Sequence, residues 1–198
     1  MLRTCLLLLV MAGCASSPTK PAKPNPAKPN PVKPNPSPSV EPTVATEQTT
    51  PQKALPPIDI PAGRFHDGYM VGGMPNKHQF DLALEAGFEE AMSLMASDEE
   101  GIADIAPYAT TIGVRYIRFT IRDKRDLNEA MAWQFAATLA MLGKPAIIHS
   151  AKGERVGAMF ALMAFFVEEL SPEEALAIGR ATGMGSLESH VRAQIFAK

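Results

Sequence analysis

The residues best suited to chemistry lie in one short segment, which runs from Ala146 to Ala158 and reads AIIHSAKGERVGA. Its first part is an apolar run with two adjacent isoleucines, which predicts a buried strand at residues 145–149. Residues 156–170 are apolar almost all round, which predicts a buried helix. The loop from Ser150 to Glu154 therefore joins a strand end to a helix start. Amide groups there lack helical partners and the helix dipole favours negative charge, so the segment is typical of an anion-binding loop.

The side chains of this loop also suit an anion. Lys152 and Arg155 supply positive charge, and an arginine can bind two oxygens of one phosphate group. Gly153 allows a tight turn or a close approach to a ligand. Glu154 suits a helix start, although its carboxylate would repel a phosphate. The predicted phosphate-binding residues are Ser150, Ala151, Lys152, Gly153, Glu154 and Arg155.

Three of the residues in this segment have simpler interpretations. Ser150 would cap the following helix without binding any ligand. Arg155 would be an ordinary arginine on a helix surface. His149 would be a buried, hydrogen-bonded histidine rather than a catalytic group.

These residues resemble the active-site signature of the protein-tyrosine-phosphatase-like superfamily, in which a His-Cys pair precedes a loop with glycine and arginine. The similarity is greatest to the bacterial branch found in beta-lactamase-hydrolase-like proteins, whose loop reads HCxxGxR. The segment from Tyr69 to Pro75 also resembles the first strand and the Gly-Gly-x-Pro turn of that branch. The resemblance covers roughly residues 65–197. It implies a phosphatase-like α/β fold, a loop supported by His149, and an aspartate that acts as general acid.

Ser150 occupies the position of the nucleophilic cysteine in that family. A serine hydroxyl holds its proton more tightly than a thiol and needs an adjacent base to attack phosphorus. His149 is adjacent in sequence, but neighbouring strand residues point to opposite faces of a sheet. Four residues separate Ser150 from Arg155, one fewer than in eukaryotic phosphatases, and this spacing is normal for the bacterial branch. We therefore expect binding of an anion without turnover.

The resemblance places the general acid on the loop after the predicted strand at residues 116–121. Asp123 and Asp126 both lie in that loop. Asp126 also fits a helix N-cap, with Glu129 three residues later completing a capping box. Asp123 is therefore the first candidate for the acid and Asp126 the second, and a solvated charged turn is the simpler alternative.

Strands and helices alternate along residues 58–198, which are enough for one domain with one core. The pattern predicts an α/β fold with a mostly parallel sheet of about four to five strands flanked by helices. A site in such a sheet lies at the carboxyl ends of the strands. The predicted strands are 69–72, 90–95, 116–121 and 145–149, and the predicted helices are 76–85, 102–111, 127–142, 156–170, one starting at Ser171, and 186–196.

The N-terminal segment, residues 1–13, resembles a bacterial lipoprotein signal peptide. Arg3 supplies positive charge, and the apolar stretch that follows is too short to span a bilayer. The residues from Met11 to Cys14 resemble the lipoprotein cleavage box, which implies a lipidated Cys14. Ala15 follows the cysteine, so the resemblance favours the outer membrane of a bacterial cell envelope, with a periplasmic domain. An ordinary secretory signal or an uncleaved N-terminus is the alternative.

The region from Cys14 to residue 57 is rich in proline, lysine and asparagine. Such a composition cannot bury enough apolar surface to form a core, and it favours an extended linker. The linker is a flexible tether or, alternatively, a stalk that spaces the domain from the membrane. The chain has 2 cysteines, Cys5 and Cys14, so the predicted domain contains no thiol nucleophile and no disulfide.

Three functions fit these observations. The first is a pseudophosphatase that binds phosphate or another anionic group on a small molecule or protein. The second is an active phosphoric-ester hydrolase that uses Ser150 or an activated water molecule. The third is a structural envelope lipoprotein with a vestigial site. The net charge of −2 gives no sign of nucleic-acid binding, and we expect no cofactor and no metal.

Overall fold

The computed structural model describes residues 58–197, so the predicted signal peptide, Cys14 and the linker lie outside the described residues. The strands are Arg64–His66 (β1), Tyr69–Gly73 (β2), Glu90–Ser93 (β3), Arg115–Arg118 (β4) and Ala146–Ser150 (β5). They form one sheet in the order β1-β2-β5-β3-β4. Strand β1 is antiparallel to β2, whereas the pairs β2–β5, β5–β3 and β3–β4 are parallel. The prediction of a mostly parallel sheet is therefore confirmed.

Helices cover both faces of the sheet. They are Lys77–Glu85 (α1), Ile102–Thr111 (α2), Glu129–Leu139 (α3), Glu154–Phe166 (α4), Pro172–Ala181 (α5) and Glu188–Phe196 (α6), with short 3-10 turns at Lys124–Asp126 and Gly185–Leu187. Alternate residues of one strand face opposite sides: Ile148 joins the larger core beneath α3 to α6, whereas Ile147 joins a smaller core beneath α1 and α2. No helix within residues 58–197 is long and apolar enough to cross a membrane.

Strand β1 was not predicted from the sequence. It forms a hairpin with β2 through Asp67 and Gly68, whose φ angles are 45° and 81°. Two central residues with positive φ are typical of a two-residue hairpin turn, and Asp-Gly favours that turn. This dipeptide was the sequence signal for the missing strand.

The predicted ends of β3 and β4 were too late. β3 ends at Ser93 rather than at residue 95, and β4 spans Arg115–Arg118 rather than residues 116–121. Leu94 and Ile121 lie beyond these ends but are fully buried. The apolar pattern therefore continues into loops that cover the core. Hydropathy alone does not show where the hydrogen bonding between strands ends.

The predicted cap of α3 was wrong. Asn128, rather than Asp126, is the N-cap, and its side chain accepts a hydrogen bond from the Met131 amide at 3.0 Å. Asp126 instead accepts one from the Arg122 amide at 2.7 Å. Leu127 was included in the predicted helix because it is apolar, yet it lies in the turn before α3 and is buried there.

Other helix ends shifted by a few residues. Helix α3 ends at Leu139 rather than 142, and α4 covers Glu154–Phe166 rather than residues 156–170. Ser186 belongs to a 3-10 turn, so the last helix begins at Glu188. Helices α1 and α5 start where they were predicted to start, and their N-caps, Asn76 and Ser171, each form a capping box.

Candidate anion-binding site

The loop between β5 and α4 depends on a glycine at its centre. Gly153 is the N-cap of α4 and has a φ of 86°, a conformation that side chains disfavour. A Cβ added there would also lie 2.9 Å from the carbonyl carbon of Gly72 on β2. The loop therefore packs directly on the end of the neighbouring strand. Gly73 and Ser150 pair at the carboxyl ends of β2 and β5, where a parallel sheet is expected to bind its ligand.

Ser150 is held inside this turn. Its side-chain oxygen accepts a hydrogen bond from the Gly153 amide at 3.1 Å, and the residue is only 1% exposed. Among residues 58–197, no histidine, carboxylate or amine makes a hydrogen bond to this hydroxyl. The hydroxyl closes the loop in this geometry, and no base is in place to remove its proton.

His149 faces away from that hydroxyl. Its Nε2 lies 2.7 Å from the Tyr116 hydroxyl on β4, and the ring is fully buried. Burial, followed by the charge of Arg155, lowers the pKa of His149 to about 3. The imidazole is bonded to Tyr116 through Nε2, and its Nδ1 has no hydrogen-bond partner within residues 58–197, so neither ring nitrogen acts as a base on Ser150.

Arg155 is anchored by acceptors from two neighbouring loops. Its guanidinium forms a two-point ion pair with Glu99, in which Nη1 donates to Oε1 at 2.7 Å and Nη2 donates to Oε2. Nη1 also donates to the carbonyl oxygen of Ile121 at 2.6 Å. Glu99 follows β3 and Ile121 follows β4, so one side chain links the carboxyl ends of three strands.

One edge of the Arg155 guanidinium is left open by these contacts. Its Nε–H and the remaining proton of Nη2 make no hydrogen bond to any residue that the structure describes. These two donors point in the same direction and match two oxygens of a phosphate or sulfate. Arg155 is therefore held rigidly and is still able to bind an anion.

Glu99 was missed in the sequence analysis. Its hydrogen bonds with Arg155, followed by the bond from the Ala96 amide, lower its carboxyl pKa against the opposing effect of burial. It is therefore a fixed negative partner that orients the guanidinium. The signal was the acidic loop after β3, since β3 lies next to β5 in the sheet. No local sequence pattern indicates that it pairs with Arg155, which is 56 residues away.

Glu154, the residue least suited to an anion site, has a partner outside the loop. Its two carboxylate oxygens accept hydrogen bonds from the backbone amide and the hydroxyl of Ser186, both at 3.0 Å. The carboxylate is thus bound to the turn between α5 and α6. This contact accounts for an acidic residue in a loop that is otherwise suited to negative ligands.

The two candidate acids both lie in the loop before α3, but neither is arranged as a proton donor. Asp123 caps the 3-10 turn and pairs with Arg125 at 2.7 Å. Hydrogen bonds from the Arg125 side chain and amide lower its pKa to about 2. Asp126 accepts bonds from the amides of Arg122 and Asp123. A carboxyl with a pKa near 2 is ionised at neutral pH, so Asp123 has no proton to give in this conformation.

A cleft of about 330 Å³ lies over the loop. Lys124 and Lys152 are exposed at its edge and form no ion pair within the described part of the chain, whereas Arg122 pairs with Asp98 at 3.1 Å. No group of three metal-binding side chains occurs within residues 58–197. The residues that line the cleft are Arg122, Asp123, Lys124, Leu127, Ser150, Ala151, Lys152, Glu154, Arg155 and Leu187.

Comparison with known proteins found no matching family model and no matching curated protein. Solved structures do match. A proposed phosphatase from Neisseria meningitidis Z2491 superposes with a TM-score of 0.56 at 13% identity, covering 67% of this chain and 97% of the other. Tk-PTP in its active form gives 0.51 at 20% identity, covering 69% and 95%. A proposed DUF442 phosphatase from Shewanella putrefaciens CN-32 gives 0.51 at 18% identity, covering 70% and 93%.

The described domain has a protein-tyrosine-phosphatase-like fold. At these identities the similarity concerns the fold alone, and it leaves the chemistry to be argued from the residues present. The phosphatase-like domain has an arginine at the helix start, a glycine in the loop and a serine at the end of β5.

Proposed function

We propose that this protein is an exported lipoprotein whose phosphatase-like domain binds phosphate or another anionic group without hydrolysing it. The observation that carries the proposal is the open edge of Arg155. This guanidinium is fixed by Glu99 and by the Ile121 carbonyl, so its two remaining donors are oriented before a ligand arrives. Preorganised donors bind an anion without the cost of ordering a free side chain.

Other groups around the cleft support an anionic ligand. The amides of Glu154 and Arg155 lie in the first turn of α4, where backbone N–H groups have no partner within the helix. Lys124 and Lys152 add exposed positive charge at the rim. The bound group would be a phosphate or a similar anion on a small molecule or on a protein.

The absence of turnover follows from the two steps that hydrolysis requires. A nucleophile must lose its proton, and the leaving oxygen must gain one. Ser150 holds its proton at neutral pH and has no base bonded to it within residues 58–197. Asp123 is already ionised in its pair with Arg125. Neither step is provided for in this geometry.

The proposed location rests on the sequence of the N-terminus. A lipidated Cys14 would anchor the protein in the bacterial cell envelope, in the outer membrane rather than the inner one, with the domain in the periplasm. Stable anchoring requires more than one acyl chain, as lipidation of both the thiol and the new amino group provides. Mass spectrometry of the mature N-terminus tests this part, and an unmodified Cys14 would contradict it.

The binding proposal is tested by calorimetric titration with inorganic phosphate at constant ionic strength. We expect weak binding by the wild type and none by Arg155→Ala. Arg180→Ala is the matched control, because Arg180 also pairs with a glutamate but does not line the cleft. Equal affinities of the wild type and Arg155→Ala would contradict the proposal. No binding by the wild type would favour a vestigial site in a structural lipoprotein.

A further inference from the structure

Helix α3 exposes an apolar face on the side away from the sheet. Trp133 is 52% exposed and Met141, in the turn after the helix, is 64% exposed. No residue from 130 to 143 carries a charge. The exposed residues between 130 and 141 are Ala130, Trp133, Gln134, Ala137, Ala140 and Met141, so only the glutamine is polar.

This face differs from the exposed sides of the other helices. The exposed positions of α1, α2, α5 and α6 all include charged side chains, and α4 has no exposed residue. Single exposed apolar residues are common, but a helix that is apolar all round is normally buried. An uncharged stripe that contains a tryptophan therefore indicates a surface that another molecule covers.

The large and small residues of the face are spaced symmetrically. Trp133 lies four residues before Ala137, and Met141 lies four residues after it. The backbone of Met141 is fixed, since its amide donates to Thr138 at 3.1 Å and its carbonyl oxygen accepts from Arg115 at 2.5 Å. Residues four apart lie on one helix face. A two-fold axis at Ala137 would therefore place each Trp133 against the Met141 of a second copy, and the small central side chain lets the two helices approach closely.

A groove of about 610 Å³ opens beside the same face. Ala136 and Ala140 of α3 line one side of it, and Phe160 and Met163 of α4 line another. Ala140 also belongs to the exposed face, so the groove borders the position that Trp133 of the second copy would reach. Aromatic side chains seated in such recesses supply much of the binding energy of many interfaces. The face thus carries both a projecting tryptophan and a recess for one.

The charges at the two ends of the face have opposite signs. Glu129 begins α3, and Lys144 follows its last turn, where it pairs with Asp67 and keeps 44% of its side chain exposed. An antiparallel pair of helices would bring each Lys144 close to Glu129 of the other copy, whereas a parallel pair would bring like charges together. Antiparallel helix dipoles also attract each other. The ends of the face therefore favour a second copy in the antiparallel orientation.

We propose that a second copy of this chain covers this face, through antiparallel pairing of the two α3 helices about Ala137. At about 1.5 Å per residue, residues 130–143 span about 21 Å, and a helix is about 10 Å wide. Such a contact is smaller than the roughly 800 Å² that each partner buries in a stable complex, so we expect a weak dimer. The proposed lipid anchor would confine copies to one surface and so raise their effective concentration.

Sedimentation of the full-length chain at increasing concentration tests the pairing, with Cys14→Ser in every sample so that no lipid is attached. The average mass should rise from that of a monomer towards that of a dimer. Ala137→Glu should weaken the pairing at least about tenfold, because like charges would then oppose each other at its centre. Ala177→Glu is the matched control, since Ala177 is an exposed alanine on α5. A mass that does not depend on concentration, or equal association of the two variants, would overturn the proposal.

Trp133 is the only tryptophan of the chain, so its fluorescence reports on this face directly. Its emission should move to shorter wavelength as the chain is concentrated, and it should not do so in Ala137→Glu. Vesicles of phosphatidylethanolamine and phosphatidylglycerol test a membrane as the alternative occupant. A shift that appears with vesicles but not with protein concentration would mean that lipid covers the face, and it would overturn the proposal.

Disulfide trapping tests the orientation, in a chain whose only cysteines, Cys5 and Cys14, are replaced by serine. Two helices packed through alanine bring the facing Cα atoms to about 5 Å, which a disulfide can bridge. Ala137→Cys should therefore give a covalent dimer. Ala130→Cys is the matched control on the same face, because an antiparallel pair separates the two copies of residue 130 by about 21 Å along the helix axis. Linkage at both positions, or at neither, would overturn the proposal.

Discussion

The anion-binding loop and the loop before α3 both line the cleft, but they are held in different ways. In the first, Arg155 and Glu99 form an ion pair with side chains only 17% and 29% exposed. In the second, Arg125 and Asp123 form a pair with side chains 91% and 46% exposed. Exposed ion pairs contribute little to stability, whereas partly buried pairs with further hydrogen bonds fix a side chain in one position.

This difference bears on the proposed binding of an anion without hydrolysis. Binding depends on groups that are fixed by buried contacts at the ends of three parallel strands. Proton donation would depend on a loop whose carboxylates are occupied by neighbouring amides and by Arg125. A site with a rigid binding half and an unsuited acid half is expected to hold an anion without transforming it.

The largest effect is expected for Gly153→Ala, which disrupts the rigid half. Gly87→Ala is the matched control, since its φ of 90° is similar but an added Cβ would have no neighbour within 4 Å. Both variants incur backbone strain, on the order of 1–3 kcal/mol. Only in Gly153→Ala would the added Cβ also clash with the backbone of Gly72. We therefore expect this variant to unfold at a lower urea concentration than Gly87→Ala and to lose phosphate binding. Equal losses in the free energy of unfolding in the two variants would show that the close approach to β2 adds nothing to the cost of the substitution.

A smaller effect is expected for Glu99→Gln, which weakens the anchor of Arg155. Loss of a charge-assisted hydrogen-bond pair should lower the free energy of unfolding by roughly 1–2 kcal/mol. Phosphate affinity should fall as well, because the guanidinium must then be ordered by the ligand. Urea unfolding and calorimetry measure the two quantities. Glu90→Gln, at the Arg115 pair away from the cleft, is the control, and unchanged phosphate affinity in Glu99→Gln would contradict the anchoring role.

The smallest effect is expected for the exposed ion pair of Asp123 and Arg125. The pKa of Asp123 is about 2 in the folded protein, below the usual value of 3.8. A lowered carboxyl pKa stabilises the fold above the unfolded value, and that contribution is lost as the pH falls from about 4 through 2. NMR titration of the carboxyl should therefore give a midpoint near 2, and Asp123→Asn should leave phosphate affinity nearly unchanged. A midpoint near 4 would show that the pair with Arg125 does not form in solution.

The sequence was informative wherever a feature is local. The strand–loop–helix segment around Ser150 follows from apolar runs and one glycine, and the sequence also located the starts of α1 and α5, whose N-caps are Asn76 and Ser171. The cap of α3 was misassigned because Asp126 and Asn128 both fit a capping pattern. Only the positions of their amide donors distinguish the two, and those depend on the turn before the helix.

The features that the sequence could not provide are contacts between distant segments. Glu99 meets Arg155, and Glu154 meets Ser186, only after the sheet has brought the ends of the strands and helices together. Both glutamates were visible as charges, yet neither spacing nor periodicity assigns a partner across 30 or more residues. The sequence therefore predicted the strand–loop–helix segment around Ser150 but not the residues that hold it in place.

Binding of an anion without hydrolysis is tested most directly by measuring the release of phosphate from an aryl phosphate. The wild type should show no turnover above background, and Ser150→Ala should be indistinguishable from it. Ser150→Cys introduces a thiol next to the start of α4, which lowers thiol pKa values. Turnover by this variant would mean that serine alone abolishes activity, and an inert variant would mean that the acid loop is also unsuited. Clear turnover by the wild type that is lost in Ser150→Ala would contradict the claim and make this protein a serine-dependent hydrolase.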